Sequence, residues 1–207
     1  MAETQADWRR HLAEAGLWVQ PLSDLAPFRS RPALFLDRDG TINVDTAYPS
    51  DPREIVLVPG ILPAIRAANE AGLATVIVTN QSGIARGMVG WADFEAVNRR
   101  VVDLLAAEGC RIDLVLACAY HEVGEGELKV ADHPMRKPNP GMILRAAEIA
   151  GLDLPRSILV GDKASDVEAG KAAGLPSLFL WDGALTTVAS ILAAIHSGGA
   201  AGPSDLR

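Results

Sequence analysis

Apolar residues along the chain fall into two alternating patterns. Short unbroken runs stand at Ala33-Leu34-Phe35-Leu36, Ala74-Thr75-Val76-Ile77-Val78-Thr79, 112–118, 157–161 and 177–181. Runs of this length without alternation predict strands buried on both faces. Between them lie segments with apolar positions at helical spacing. One covers 61–71 and stops at Gly72; a second covers 91–108, with Phe94, Val97, Val101 and Leu104 on one stripe and Gly109 after it. A third opens at Pro138-Asn139-Pro140, read with Asn139 as N-cap and Pro140 at the first helical position. A fourth is read with a Ser165/Glu168 capping box and ends at Gly174, and the last covers 184–195. Strands alternating with helices imply right-handed crossovers and a parallel, doubly wound, Rossmann-like α/β sheet.

The ends of the chain read differently. Trp8, Leu12 and Ala15 fall at helical spacing, which predicts that the extension 1–30 packs on the body as a helix, with Pro21, Pro27 and Pro32 extending the connector behind it. Residues 31–197 form a single domain in this reading, since neither an internal repeat nor a shift in composition divides them. The Gly-rich stretch 198–207 predicts a flexible tail.

Composition narrows the partners. A chain of 207 residues that is 49% hydrophobic can bury one substantial core, and a net charge of −7 disfavours nucleic acid and anionic membranes. The cysteines are Cys110 and Cys118, and the first residues lack the apolar core of a signal peptide. A reducing, cytoplasmic setting and a monomer are the expectations.

The chemistry gathers where the first apolar run stops, at Asp37-Arg38-Asp39-Gly40-Thr41. Ligands of open α/β sheets bind beyond the carboxyl ends of the strands. Extended backbone places Asp37 and Asp39 on one side. Paired carboxylates repel unless a cation intervenes, so the pair suggests Mg²⁺ with one carboxylate free for nucleophilic or acid/base work. Two solvated acids capping turn amides would look the same locally. Three further strand ends or adjoining turns separate the readings: Thr79-Asn80-Gln81-Ser82, Arg136-Lys137, and Asp162-Lys163 with Asp166. Parallel strands deliver all of them to one edge, and together they supply what phosphoryl transfer needs: a hydroxyl (Thr79), a compact cation (Lys137), metal-binding carboxylates including Asp162, a nucleophile (Asp37) and an acid/base (Asp39). The irregular stretch from Ile42 to Pro59 leaves the strand beside these acids and reads as a flap.

These residues also carry a resemblance. Phe35-Leu36-Asp37-Arg38-Asp39-Gly40-Thr41-Ile42-Asn43, the string Thr79-Asn80-Gln81-Ser82-Gly83-Ile84-Ala85-Arg86-Gly87, Arg136-Lys137-Pro138, and Gly161-Asp162-Lys163 with Asp166 resemble the motifs of haloacid dehalogenase-like phosphatases. Within these they are most similar to the group of D-glycero-D-manno-heptose 1,7-bisphosphate phosphatases and histidinol-phosphatases. The resemblance implies a minimal cap and a Mg²⁺-dependent phosphomonoester hydrolase working through an aspartyl-phosphate, with removal of the C7 phosphate of a heptose bisphosphate as the leading activity. It makes Asp37 the nucleophile, Asp39 the acid/base, and Thr79 and Lys137 the phosphate stabilisers. Asp37, the main-chain carbonyl of Asp39, and Asp162 would hold Mg²⁺, with Asp166 as an anchor behind them. Asp45 to Tyr48, Asn80, Gln81, Ser82, Arg136 and Lys163 would line the substrate site, and Arg136 with Lys163 suggests a second anionic group on that substrate.

One departure stands out. Members of this group commonly hold structural Zn²⁺ in the loop before Arg-Lys-Pro through a Cys-x-His and a Cys-x-Cys pair. Here Cys118 keeps the first position, Tyr120 replaces the histidine with His121 beside it, and His133 and Met135 occupy the later positions, so zinc is not expected. A histidinol-phosphate or other small sugar-phosphate phosphatase shares the same chemistry. A phospho-acceptor signalling domain shares the sheet-edge Asp, Mg²⁺, Thr and Lys, but has no use for an acid/base two residues after the nucleophile.

Overall fold

The computed structural model describes residues 8–197. Seven strands form one sheet in the order β1-β2-β5-β4-β3-β6-β7, built from β1 (Leu12–Glu14), β2 (Leu17–Pro21), β3 (Ala33–Leu36), β4 (Ala74–Asn80), β5 (Leu114–Cys118), β6 (Ile158–Gly161) and β7 (Ser177–Leu180). The five strands foreseen from the apolar runs pair in parallel, whereas β1 and β2 are antiparallel additions to the β5 edge. Continuous apolar runs were the right signal because helices cover both faces. Leu34, Leu36, Ile77, Val115 and Val160 project into one core, shared with α1 (Leu62–Glu70), α3 (Trp91–Ala107) and α6 (Leu185–His196). Phe35, Val76, Val78, Leu116 and Leu159 project into the other, against α4 (Gly141–Ala150) and α5 (Ala164–Ala172). From β3 the chain winds outward to β4 and β5, then crosses back to β6 on the other side. The strand order therefore reverses between β3 and β6, where a crevice opens.

The N-terminus corrects the expectation of a helix. Trp8–His11 makes a single 3₁₀ turn, and β2 then pairs with β5 from Leu17 opposite Cys118 to Pro21 opposite Leu114. A helix this short gains little from its own hydrogen bonds, whereas the open β5 edge offers a full ladder. Leu17-Trp18-Val19 suits a strand, and Trp18 is buried against Trp91 and Phe94, with ring centroids at 5.6 and 5.2 Å. The proposed tail 198–207 lies outside the described residues, as do residues 1–7.

Two helix starts also differ. α4 begins at Gly141, and the Asn139 amide instead donates to His133 O (3.1 Å) and Asp132 Oδ1 (2.6 Å). At α5 the capping carboxylate is Asp166, whose Oδ2 accepts the Lys163 N–H at 2.9 Å, rather than Ser165 with Glu168. The insertions 43–58 and 119–137 carry only short 3₁₀ turns, which leaves the minimal cap expected. Among the described residues no helix is long and apolar enough to cross a membrane.

Candidate active site

β3 delivers Asp37 to the crevice. Its N–H donates to Val160 O (3.0 Å), extending the β3–β6 pairing one residue past the strand. Its Oδ1 accepts the Arg38 N–H at 2.8 Å and lies 2.8 Å from Lys137 Nζ. Burial pushes this carboxyl up to about 6; the negative Asp166 adds to the rise, and Lys137 opposes it.

Lys137 is buried and fully engaged. Nζ donates to Val78 O (2.8 Å) and contacts Asp37 and, at 2.6 Å, Asp166 Oδ1. Burial alone would depress this lysine, but the two carboxylates outweigh it and hold the ammonium charged. Asn80, which lines the cleft as expected of a substrate-site residue, also grips the Lys137 backbone at both ends: its Nδ2 donates to Lys137 O (2.9 Å) and its Oδ1 accepts the Lys137 N–H (3.1 Å).

Asp39 is held off the cluster. Arg38 donates to both its oxygens (3.1 and 2.9 Å), Asn43 to Oδ1 (3.0 Å) and Gln81 to Oδ2 (2.8 Å). Burial would raise this carboxyl, but the Arg38 guanidinium and the added donors hold it below the usual range. Gln81 also donates to Thr79 Oγ1 at 3.0 Å, so Asn80 and Gln81, which both line the cleft, are tied to the catalytic candidates as well. Arg38 and Asn43 were not singled out from the sequence. The available signal was an arginine between two acids at the end of a buried strand, where a charge needs a partner. Among the described residues Arg38 Nη1 has no hydrogen-bond partner, and the guanidinium lies 5.2 Å over the Phe94 ring.

Among the described residues, Asp37, Asp162 and Asp166 form the group of three carboxylates whose oxygens lie within 4.8 Å of one another. Gly40, at φ +91°, makes room for it, since a Cβ there would stand 2.4 Å from Asp162 Oδ2. Burial raises the Asp162 carboxyl, and the neighbouring Lys163 opposes the rise. Hard oxygen donors gathered this closely fit Mg²⁺. Asp166 is already committed to Lys137 and the Lys163 N–H, which leaves Asp37 and Asp162 as the carboxylate donors.

The zinc donors do not fit. Among the described residues Cys118, His121 and His133 do not gather into a group of metal donors, and burial pushes the Cys118 thiol up to about 11. The His133 ring lies flat on Tyr120, with centroids 3.8 Å apart, and a Met135 thioether does not replace a thiolate in a closed tetrahedral site.

The cleft of about 460 Å³ is lined by Asp37, Asp39 and Thr79 at its floor, and by Asp45, Tyr48, Ser82, Arg136 and Lys163 above. Ala47 and Tyr48 both adopt left-handed backbone (φ +58° and +62°), a strained pair that aims the Tyr48 ring inward. The ring packs where Gly83 has no side chain, and Tyr48 Oη shares a hydrogen bond with Ser82 Oγ (3.1 Å) and accepts one from Arg86 (3.1 Å). Lys163 Nζ rests 3.4 Å from Asp45 Oδ2.

A buried carboxylate beside a lysine at the switch point of a doubly wound sheet, with a second acid two residues on, fits a hydrolase of the haloacid dehalogenase type. Comparison with known proteins agrees: the HAD-hydrolase-like family model matches residues 134–198. A D-glycero-beta-D-manno-heptose-1,7-bisphosphate 7-phosphatase of Mesorhizobium japonicum is 60% identical over 172 residues, 83% of this chain and 79% of its own. A crystal structure from Mesorhizobium loti, assigned as a HAD-like phosphatase, superposes with TM-score 0.86 at 51% identity, covering 95% of this chain and 99% of that one. The D,D-heptose 1,7-bisphosphate phosphatase of B. bronchiseptica, complexed with magnesium and phosphate, gives TM-score 0.62 at 33% identity, over 70% of this chain and 78% of its own. The chain belongs to the haloacid dehalogenase-like phosphatase family, in the group of the heptose bisphosphate phosphatases and histidinol-phosphatases.

Proposed function

We propose that the chain is a Mg²⁺-dependent phosphatase that removes the C7 phosphate of D-glycero-β-D-manno-heptose 1,7-bisphosphate. The substrate rests on the relative sharing 60% of its residues. The chemistry rests on one observation: the Asp37 carboxylate stands 2.8 Å from the Lys137 ammonium at the buried floor of the cleft, beside Thr79 and Asp162.

Asp37 attacks phosphorus, and the bond from phosphorus to the C7 oxygen breaks. The departing alkoxide takes a proton from Asp39. Water then attacks the aspartyl-phosphate at phosphorus and gives its proton back to Asp39, releasing inorganic phosphate and restoring the Asp37 carboxylate. Thr79 Oγ1 and Lys137 Nζ face the oxygens on which charge develops. Asp37, Asp162 and the main-chain carbonyl of Asp39 would hold Mg²⁺, which would supply neutralisation of the phosphoryl charge. Asp39 rests as the carboxylate that the water step needs. For the first step it takes a proton from solvent, exchanging its Arg38 contact for the leaving oxygen, and the proton it recovers from water returns to solvent as the carboxylate is restored.

Arg136 and Lys163 take the second anionic group, and Asp45, Tyr48 and Ser82 take the sugar hydroxyls. The same reading makes the partner a small phosphorylated metabolite and the enzyme a cytoplasmic monomer. The test is phosphate release with Mg²⁺ from both heptose 1,7-bisphosphate anomers, fructose 1,6-bisphosphate and histidinol phosphate, with Asp37→Asn as blank. A kcat/KM for the β anomer about a hundredfold above the rest, or about 2.7 kcal/mol of transition-state discrimination, is expected. Equal, weak turnover of all four would leave a phosphatase and remove the heptose assignment.

A further inference from the structure

The loop that ends in Arg136 and Lys137 is fastened to the N-terminal strands through one side chain. The Ala119 N–H donates to Gly16 O at 2.8 Å, and the next residue, Tyr120, lays its ring against Gly16, where an added Cβ would meet ring carbons at 2.8 Å. The Tyr120 hydroxyl donates to Glu14 Oε2 (3.2 Å), and the other face of the ring stacks on His133 at 3.8 Å with planes 20° apart. His133 Nε2 lies 3.8 Å from the same Glu14 oxygen. The stack leads directly to the cleft. Arg136 Nη1 donates to Tyr120 O (3.2 Å), the Arg136 N–H donates to His133 O (2.9 Å), and the Met135 N–H meets His133 Nδ1 (3.2 Å). Both hydrogen bonds that Arg136 donates to the described residues thus end on the two residues of the stack.

We propose that Tyr120 is a positioning residue: clamped between Gly16 and His133, it aims Arg136 at the second anionic group of the substrate and does without a metal in this loop. The inference rests on the bisphosphate reading above. Holding Arg136 by its backbone partner and one guanidinium nitrogen leaves its remaining donors pre-organised for an anion, which lowers the ordering cost of binding. Gly16 is the residue the arrangement requires, because any side chain there would displace the ring.

Steady-state kinetics on Tyr120→Leu and Tyr120→Phe provide the test, with heptose 1,7-bisphosphate and p-nitrophenyl phosphate as substrates. Tyr120→Leu is expected to raise KM for the bisphosphate about tenfold with kcat within about twofold, the size of one misplaced charge-assisted hydrogen bond. It should leave kcat/KM for p-nitrophenyl phosphate, which lacks a second anion, unchanged. Tyr120→Phe keeps the stack and should behave as wild type. Amide exchange across 133–137 should quicken several-fold in Tyr120→Leu and not in Tyr120→Phe, as for a loop whose fastening opens. A zinc-selective chelator in excess Mg²⁺ should change neither KM nor exchange. Equal losses on both substrates, an unchanged bisphosphate KM, or a chelator-sensitive KM would each overturn the proposal. If wild type shows no preference for the bisphosphate, the function reading fails by itself, and the exchange data alone then decide whether Tyr120 orders Arg136.

Discussion

Asp37→Asn should make the metal-free protein more stable at neutral pH while abolishing its activity. The Asp37 carboxyl moves from 3.8 to about 6 on folding, with burial as the main cause. Holding it ionised therefore costs the folded state about 3 kcal/mol, at about 1.4 kcal/mol for each pH unit. The sign follows from proton binding. The folded state holds the Asp37 proton more tightly than the unfolded chain does, so the group favours folding below 3.8 and that contribution is lost as pH rises through about 6. Asparagine resembles the protonated carboxyl and escapes the penalty, while Lys137 keeps its Asp166 partner. For a chain of this length about 3 kcal/mol corresponds to roughly 6–12 °C in Tm. Thermal unfolding with chelator at pH 8 and pH 4 measures it: the variant should melt well above wild type at pH 8 and close to it at pH 4. Saturating Mg²⁺ should narrow the gap, because it stabilises the wild-type site by mass action. Equal melting temperatures at pH 8, or a gap that widens on acidification, would refute the electrostatic account of this site.

Lys137→Ala leaves Asp37 and Asp166 buried together without their cation, so unfolding titrations should show a loss of about 3–5 kcal/mol along with loss of turnover. Gly40→Ala places a Cβ where Asp162 Oδ2 now lies 2.4 Å away, and Mg²⁺ titrations of activity should show half-saturation raised at least about tenfold with the fold intact by circular dichroism. Arg38→Met removes the charge that outweighs burial at Asp39; the carboxyl rises, and the limb of the kcat/KM profile that reports Asp39 should move to higher pH.

Much of this molecule was legible because its strands are buried on both faces. Unbroken apolar runs bounded by glycine or acids have few other interpretations, and parallel winding then sends every strand end to one edge, so Asp37, Thr79, Lys137 and Asp162 could be gathered before any coordinates were available. Their exact company could not, because it depends on contacts between residues far apart in the chain. Asn80 lines the cleft and at the same time holds the backbone of Lys137, 57 residues away. Asp166 caps its own helix and at the same time neutralises Lys137. Arg38 pins Asp39 because the guanidinium is itself buried at the strand end, where its charge needs a partner. The N-terminal segment was misread for the same reason. Trp8, Leu12 and Ala15 are spaced as a short helix would require, but local spacing carries little energy in so short a segment. The unpaired edge of β5, which no local pattern reveals, decides that the chain extends there as strands and brings Gly16 against Tyr120.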